Sequence, residues 1–318
     1  MCKKECKNRV LTIYNMLINN KTVNKSEMSM KFKVNEKTIR RDIAEIKNFF
    51  YENIDEFGEV SIDYSRRKKG YILNEMNSKC NEKEVLLLIK ILLGSRGLCK
   101  KEVNEIIEKL IFNLEKKEKG IVRELTGNEL RNYVSPKHSK ELILMIWDIE
   151  QAIRNRRRIK INYTKVNGEE QTVEIIPKGI IYSEYYFYLI ADKKEIKDRV
   201  YRVDRINSYK ILLETFPMKE LQGFQEGEFR KSIQFMQKDD LIKTKFEFKG
   251  ESVEVILDRV PTANVIKKEK GKYILEAKVY KRGIKMWFLS QGKKIKVIEP
   301  QELVEEIKEE IKDMYGLY

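Results

Sequence analysis

The segment Asn24–Phe50 most constrains what this chain can fold into, because it contains two short helical patterns on either side of a tight connection. Asn24 and Glu27 have the spacing of a capping pair, in which two side chains satisfy each other's free backbone amides. Asn35 is a favourable N-cap for the second helix. Four apolar residues then recur at helical spacing on one buried face: Ile39, Ile43, Ile46 and Phe50. This pattern predicts a helix-turn-helix.

The second helix leaves polar and cationic side chains at or beside its solvent face, near its N-terminus. In helix-turn-helix proteins this part of the second helix contacts base edges and phosphates in the major groove. The alternative is an amphipathic helix pair whose basic residues are only solvated, since surface helices commonly carry Lys and Arg. We expect DNA contacts from Asn35, Lys37, Thr38, Arg40 and Arg41.

Residues 58–74 follow as a predicted two-stranded hairpin with a basic tip. Gly70 is interpreted as its turn glycine. Four cationic residues precede that glycine: Arg66, Arg67, Lys68 and Lys69. A basic hairpin beside a recognition helix is the wing of a winged helix-turn-helix, where cations neutralise DNA phosphates. The segment Met1–Lys79 contains 17 Lys and Arg against 11 Asp and Glu, so the composition also favours duplex DNA as the partner.

The recognition helix carries a motif with a β-branched residue, a small polar cap and the run Thr-Ile-Arg-Arg-Asp. In this sequence the motif reads Val34-Asn35-Glu36-Lys37-Thr38-Ile39-Arg40-Arg41-Asp42. The segment therefore resembles the helix-turn-helix of DeoR-type and WYL-domain bacterial regulators. The resemblance implies that residues 1–79 bind DNA.

Length, charge and cysteine use set the broad class of protein. The chain has 318 residues, which favours two or three domains, and its formal net charge of +15 favours an anionic partner. It contains no uninterrupted apolar run of about 18 residues, and its charged N-terminal sequence lacks the apolar core of a secretory signal. The four cysteines are irregularly spaced, as is typical of a reducing compartment. We expect a cytoplasmic protein without a membrane span.

The sequence contains little that indicates catalysis. His138 is the single histidine, and no plausible Ser/His/Asp or Cys/His relay, phosphate-binding loop or dinucleotide fingerprint occurs. Cys2 and Cys6 have no second Cys/His pair to complete a tetrahedral metal site. We predict no enzymatic activity, no catalytic residue, no metal and no cofactor.

The rest of the chain divides by pattern into three parts. Residues 81–133 predict a helical connector, with Asn81 and Glu84 as a capping pair; its apolar faces either form a dimer or pack within the monomer. One helix and about five short strands then predict a small bent barrel of SH3-like or Sm-like kind. Later strands and a last helix predict a small α+β sandwich. The predicted fold is multidomain α+β, with domains at 1–79, 80–138, 139–215 and 216–318.

Residues 139–213 resemble the WYL domain. The family's naming triplet appears as Phe187-Tyr188-Leu189, its Pro-x-Gly element as Pro177-Lys178-Gly179, and its arginine-rich motif as Arg199–Ile206. Phe187 stands where the family has Trp, so the aromatic face is kept and the indole N–H donor is lost. The segment WFLSQGKKIKVIEPQELVEEIKEEI resembles the C-terminal extension of the same regulators, and its Trp287 is expected in the core.

Arginines and tyrosines of the WYL block suggest a site for an anion. An arginine beside a tyrosine provides a phosphate clamp next to a stacking surface. On a strand, one face is expected to carry Arg199, Tyr201, Val203 and Arg205, with Arg202 on the opposite face. Phe187, Leu189 and Ala191 are expected in the core instead. The predicted ligand site contains Tyr188, Arg199, Arg202 and Arg205.

The order of these segments resembles WYL-domain transcriptional regulators along nearly the whole chain. The resemblance implies a dimeric DNA-binding regulator whose WYL domain binds single-stranded nucleic acid or another nucleic-acid-like ligand and so changes its DNA affinity. The alternative is an accessory protein that binds RNA or single-stranded DNA without regulating a promoter. An enzyme with a DNA-binding head is disfavoured by the missing catalytic set. The operator, the ligand, the sign of regulation, the dimer interface and the role of the extension are left open.

Overall fold

The computed structural model of the chain describes residues 3–54, 60–75, 80–194, 196–221, 224–269 and 271–318. Over these residues the chain divides into two units. The N-terminal unit contains Met1–Leu87 and Leu110–Arg123, and the C-terminal unit contains Leu88–Lys109 and Glu124–Tyr318. No helix among the described residues is long and apolar enough to cross a membrane.

The N-terminal unit contains the expected helix-turn-helix and hairpin. Asn24 Oδ1 accepts hydrogen bonds from the amides of Ser26 (2.9 Å) and Glu27 (3.4 Å). Asn35 Oδ1 accepts one from the amide of Lys37 (2.9 Å). Both predicted N-caps are therefore confirmed, but among the described residues the Asn24 amide makes no return hydrogen bond to the Glu27 side chain, so the expected reciprocal pair is only half formed. The elements are α1 (Lys3–Ile18), α2 (Lys25–Phe32), α3 (Glu36–Glu52), β1 (Val60–Ser65) and β2 (Gly70–Glu75).

The core of this unit is built on the predicted face of α3. The four apolar residues of that face are buried as expected: Ile39, Ile43, Ile46 and Phe50. Ile13 and Leu17 from α1 and Leu73 from β2 belong to the same cluster. The apolar period of the sequence thus fixes which side of α3 remains free for a partner.

Arg9 and Asp42 form an ion pair inside this core. Arg9 Nε donates to Asp42 Oδ2 (2.5 Å) and Arg9 Nη2 donates to Asp42 Oδ1 (3.0 Å). The two side chains are only 3% and 4% exposed. Asp42 belongs to the Thr-Ile-Arg-Arg-Asp motif, so the last residue of that motif fastens α3 to α1.

The expected helical connector is present as helices. Its first N-cap is reciprocal, as predicted: the amide of Asn81 donates to Glu84 Oε2 (2.9 Å), and the amide of Glu84 donates to Asn81 Oδ1 (3.1 Å). The helices are α4 (Glu82–Ser95), α5 (Lys100–Phe112) and α6 (Lys116–Arg131).

Glu102 on α5 caps the next helix, α7 (Ile143–Arg154). Glu102 is buried, and its Oε1 accepts hydrogen bonds from the amides of Leu142 and Ile143, both at 2.7 Å. The N-cap residue of α7, Leu142, has no side-chain cap of its own. A carboxylate from another helix therefore holds the start of α7 in place.

An antiparallel sheet follows α7 and contains the predicted WYL strands. The pairing order is β6-β5-β4-β3-β7. Among the described residues β6 and β7 lie at the two edges of this order, so strand pairing does not confirm the expected closed barrel. The strands are β3 (Arg157–Thr164), β4 (Glu170–Ser183), β5 (Tyr186–Lys193), β6 (Ile196–Arg202) and β7 (Ile206–Thr215).

The predicted strand across Arg199–Ile206 is wrong in its second half. A 3₁₀ turn at Val203–Arg205 separates β6 from β7. Val203 and Asp204 are buried in this turn, and Asp204 binds the side chain of Arg202 two residues earlier. This local ion pair favours a turn over a continuous strand, so Val203 and Arg205 do not continue the predicted strand face.

The last part of the chain has the expected mixed α/β content. A second antiparallel sheet has the order β11-β8-β10-β9. One face of this sheet is buried: Phe246 and Leu275 lie in one core cluster with the helical residues Phe288 and Leu303. Trp287 is 5% exposed, which confirms it as a core residue. The elements are α8 (Glu226–Ser232), β8 (Leu241–Lys249), α9 (Glu254–Arg259), β9 (Asn264–Glu269), β10 (Lys272–Tyr280), α10 (Lys281–Ser290), β11 (Ile295–Glu299) and α11 (Gln301–Tyr315).

Candidate nucleic-acid interface and ligand site

The solvent face of α3 carries the predicted DNA-contacting side chains. Lys37, Arg40 and Arg41 are exposed, and Thr38 is half-buried beside them. Asn35 is exposed, but its side-chain oxygen is occupied as the N-cap of α3. The helix N-terminus and these cations together favour a negatively charged partner.

The exposed face extends further along α3 than the sequence analysis placed it. Ala44, Lys47 and Asn48 are exposed and lie four to eight residues beyond Arg40, so helical periodicity places them on the same side. The family motif ends at Asp42, so it gives no indication of these residues. The apolar stripe of α3 could have identified them, because the helical period that defines the buried side of the helix also defines its exposed side.

The wing is fastened to the start of the helix-turn-helix. The exposed turn between β1 and β2 consists of the predicted cations Arg66, Arg67, Lys68 and Lys69. Asn24 Nδ2 donates to the carbonyl of Lys69 (3.2 Å). Val23 and Tyr71 exchange two backbone hydrogen bonds, both 2.8 Å. The basic tip therefore has a defined position beside α2.

Gly70 is required for close backbone approach, which corrects its interpretation as the turn glycine. It is the first residue of β2, paired with Ser65, and Lys69 before it takes the left-handed conformation (φ +50°). A Cβ atom on Gly70 would lie 2.6 Å from Thr22 Cγ2 and 2.7 Å from the carbonyl oxygen of Val23. Any side chain there would force the wing away from Val23.

In the WYL sheet, the structure brings together two of the predicted ligand residues. Tyr188 on β5 pairs with Arg202 on β6. The Arg202 guanidinium carbon lies 3.4 Å from the ring centroid of Tyr186, and the rings of Tyr186 and Tyr188 meet edge to face at 6.4 Å. Tyr186 is thus a site residue that the predicted set omitted. The sequence feature that could have indicated Tyr186 is the family triplet, which begins at the next residue.

Arg202 already has an anionic partner. Its Nε and Nη2 donate to Asp204 Oδ1 (3.1 Å) and Oδ2 (2.7 Å). Burial disfavours the charged guanidinium, but the Asp204 carboxylate outweighs that effect and raises the pKa of Arg202. An external anion that binds Arg202 must therefore replace or share this carboxylate.

The structure does not bring Arg199 and Arg205 to the same place. Arg199 pairs with Ala191 and lies over the ring of Tyr201 (5.4 Å). Because side chains alternate along a strand, this is the opposite sheet face from Arg202. Arg205 is half-buried in the 3₁₀ turn. The predicted four-residue site therefore divides between different surfaces. Leu189 and Ala191 are buried, as expected for core residues, whereas Phe187, expected with them, is only half-buried.

His138 adds an unused hydrogen-bonding group near Arg202 and Asp204. Its Nδ1 accepts from the Lys140 amide (3.0 Å), and its buried Nε2 has no partner among the described residues. Burial lowers the pKa of His138, with Asp204 raising it and Arg202 lowering it. The neutral ring therefore carries its proton on Nε2. The Arg202 guanidinium and the two tyrosine rings suit a flat ligand with anionic oxygens.

Comparison with known proteins identifies the domains. Family models match residues 9–72 as an HTH domain, residues 145–211 as a WYL domain and residues 240–315 as a WCX domain. The chain therefore contains a helix-turn-helix domain, a WYL domain and a WCX domain, in that order. No curated protein matches the chain. The resemblance to WYL-domain regulators inferred from the sequence is confirmed, and the C-terminal extension is the WCX domain.

Two solved structures have weak similarity to the chain. The proteasome accessory factor B/C (PafBC) of Arthrobacter aurescens is 15% identical, with a TM-score of 0.33; the match covers 96% of this chain and 47% of that one. This chain thus spans about half the length of PafBC. A CRISPR Cas-related protein is 17% identical, with a TM-score of 0.36, and the match covers 98% and 92% of the two chains.

Proposed function

We propose that this regulator reads operator DNA with the exposed face of α3 and holds the phosphate backbone with the wing. The observation that supports this proposal is the combination of an uninterrupted exposed stripe on α3 with a basic turn fastened beside it. The residues assigned to DNA are Asn35, Lys37, Thr38, Arg40 and Arg41 on the helix and Arg66, Arg67, Lys68 and Lys69 in the wing. Lys47 and Asn48 join the set because they extend the same face.

Replacing Arg41 by alanine should weaken operator binding by about 1–3 kcal/mol and relax specificity at one base-pair position. Replacing all four wing cations by glutamine should instead weaken operator and random duplexes alike and flatten the salt dependence. The measurement is fluorescence anisotropy with both duplexes at several salt concentrations. The operator comes first from selection of bound genomic fragments.

Lys312→Ala is the matched control, because it removes an exposed cation from α11 in the WCX domain. It should leave both affinities nearly unchanged. An Arg41→Ala variant that kept the wild-type affinity and operator preference would contradict the assignment of α3. Preferential binding of RNA over the duplex in competition would favour the alternative, an RNA-binding or single-stranded-DNA-binding accessory protein.

We further propose that the WYL domain binds a nucleic-acid-like or nucleotide anion and that this ligand modulates operator binding. Support comes from Arg202, which stacks on Tyr186 and is held by Asp204, with Tyr188 beside it. A ligand phosphate that displaces Asp204 from Arg202 would release the 3₁₀ turn. Arg199 and Arg205 are weaker candidates for ligand binding, because they lie on other surfaces than Arg202.

If the ligand competes with Asp204 for Arg202, substitutions of these two residues should change ligand affinity in opposite directions. Arg202→Ala should weaken binding of a short single-stranded DNA by about 1.5–3 kcal/mol, because it removes a charge-assisted hydrogen bond. Asp204→Asn should strengthen binding, because asparagine keeps the size of the side chain but removes the negative charge that competes for the guanidinium. Calorimetric titration of oligonucleotides and nucleotides into the full chain measures both. Weakened binding by both variants would show that Asp204 supports the site rather than competing for it.

The remaining features of the proposal concern assembly and architecture. We propose a cytoplasmic homodimer, because one recognition helix reads few base pairs and two half-sites about one helical turn apart supply specificity. The helical connector and the C-terminal segment offer candidate apolar surfaces. We also propose domain boundaries at 79, 138 and 215, and an SH3-like or Sm-like curvature for the WYL sheet.

A further inference from the structure

The WCX domain contains an apolar groove beside its last helix, α11. The groove has a volume of about 550 Å³, which lies within the range of sites for small organic molecules, about 300–1,000 Å³. Its lining combines the buried Phe288 of α10 with half-buried residues of β11 and α11: Ile295, Val297, Val304 and Ile307. Aliphatic and aromatic walls of this kind suit the hydrocarbon part of a ligand.

The groove is more enclosed at one end than at the other. Along the apolar face of α11, Val304 and Ile307 are half-buried, whereas Ile311 and Met314 are 54% and 48% exposed. All four residues line the groove. A single residue separates β11 from α11, so the helix returns along the strand and its last turns lie toward the start of β11. Lys293, two residues before β11, therefore belongs to the open end of the groove.

The charged side chains that line the groove are cationic. Among the described residues the lining contains the exposed lysines Lys293, Lys296 and Lys308 and no Asp or Glu. Lys308 is paired with Glu305 (2.8 Å) through exposed side chains, a contact of the kind that contributes little. Lys293 and Lys296 make no ion pair with a described residue. The groove therefore combines an apolar interior with positive charge at its edge.

The acidic residues on the neighbouring side of α11 are engaged by α10. Glu306 Oε1 lies 3.0 Å from Lys281 Nζ, and Glu306 Oε2 lies 3.4 Å from Lys285 Nζ. Glu310 pairs with the same Lys285 at 3.6 Å. These contacts join the carboxylates to the cations of α10, so the lysines of the groove keep their charge for a ligand.

We propose that this groove binds an aliphatic monocarboxylate, a medium-chain fatty acid, whose chain lies along α11 and whose carboxylate is held by Lys293 at the open end. A wholly apolar ligand would leave the lysines unused, and a wholly polar anion would leave the apolar lining uncovered. A second copy of the chain packed here by two-fold symmetry would bring the same lysines toward each other. The site belongs to a different domain from the proposed DNA and WYL-ligand sites, so its test depends on neither.

A chain-length series tests the apolar part of the site. Hexanoate, octanoate and decanoate are titrated into the full chain by calorimetry at neutral pH. Each added CH₂ should tighten binding about fourfold, the factor that corresponds to burying one methylene. Decanoate should bind with a dissociation constant of about 10–100 μM. Decyltrimethylammonium has a chain of the same length and the opposite charge, so it should bind at least tenfold more weakly.

Substitutions test the position of the site. Ile311→Glu places a negative charge in the groove and should weaken decanoate binding at least tenfold. Ile266→Glu is the matched control, because Ile266 is 52% exposed and lies on β9, at the opposite edge of the same sheet. Lys293→Gln should weaken decanoate binding about two- to fivefold and tighten binding of the ammonium probe. Lys312→Gln, on α11 outside the lining, should change neither; circular dichroism checks that every variant is folded.

Several results would overturn the proposal. Absence of decanoate binding at about 1 mM would exclude a site of this strength, and an affinity that does not rise with chain length would exclude the groove as the place of the chain. Equal weakening by Ile311→Glu and Ile266→Glu would place the site elsewhere. Equal affinity for decanoate and the ammonium probe would exclude the role of the lysines. A dimer in sedimentation that Ile311→Glu dissociates would show that a second copy covers the groove instead.

Discussion

Replacing Arg9 by methionine is expected to destabilise the N-terminal unit by about 3–5 kcal/mol, because it leaves the Asp42 carboxylate buried without its partner. The wild-type guanidinium binds both carboxylate oxygens of Asp42, at 2.5 and 3.0 Å. Hydrogen exchange of the α1 and α3 amides measures the effect locally, without interference from the C-terminal unit. Operator binding should weaken in parallel, since α3 loses its attachment to α1.

The double variant Arg9→Met with Asp42→Leu separates the charge from the packing. Removing both partners of a buried ion pair is often neutral or stabilising, so the double variant should recover most of the lost protection. Lys7→Met is the matched control, because Lys7 is an exposed cation on α1 and has no assigned role in DNA binding. If the opening free energy from hydrogen exchange in Arg9→Met stayed within about 1 kcal/mol of wild type, the loss of the Asp42 partner would be compensated in another way.

Replacing Asp192 by alanine should destabilise the C-terminal unit by a similar amount, about 3–5 kcal/mol. Asp192 is 1% exposed. Its Oδ1 lies 2.8 Å from Lys178 Nζ and accepts the Asp198 amide at 2.7 Å, while Oδ2 contacts the exposed Lys197 at 3.0 Å. Without the carboxylate, the buried Lys178 would retain only Asp198 (2.8 Å). Urea unfolding followed by circular dichroism measures the loss.

The pH dependence identifies the carboxylate as the cause. Burial acts to raise the pKa of Asp192, but Lys178, the Asp198 amide and Lys197 outweigh it, so the pKa is lowered. Such a group stabilises the fold above its unfolded-state pKa of about 3.9 and loses that effect as the pH falls through its folded-state value. The stability difference between wild type and Asp192→Asn should therefore narrow below about pH 4. Glu220→Gln should cost less than about 1 kcal/mol, because Glu220 pairs in the same network with Lys197, whose side chain is exposed.

The features that the sequence predicted well depend on near neighbours. The caps at Asn24, Asn35 and Asn81 bind amides two or three residues away, and the buried face of α3 follows from one helical period. The wing was recognisable for the same reason, since its two strands are adjacent in sequence. Local chemistry therefore located the helix-turn-helix, and the HTH match over residues 9–72 agrees with that location.

The features that the sequence did not predict depend on contacts between residues that are far apart in the sequence. Asp42 was treated as part of a recognition motif, but its partner is Arg9 on another helix. The cap of α7 comes from Glu102 on α5, which no local pattern indicates. The predicted ligand set combined arginines from both sheet faces because the strand was extended through a 3₁₀ turn. Asp204, which bends that turn and occupies Arg202, was absent from the predicted set.

The contact between Gly70 and Val23 has a consequence for the kind of DNA that this unit accepts. Because Tyr71 on β2 is hydrogen-bonded to Val23, two residues before α2, we expect the cations of the wing and those of α3 to keep one fixed separation. A duplex that contacts both must present its backbone at the matching groove width. A DNA sequence with a wider or narrower groove would contact only the wing cations or only the α3 cations, irrespective of which bases it contains. The N-terminal unit is therefore expected to discriminate DNA by shape and stiffness at positions where it touches no base.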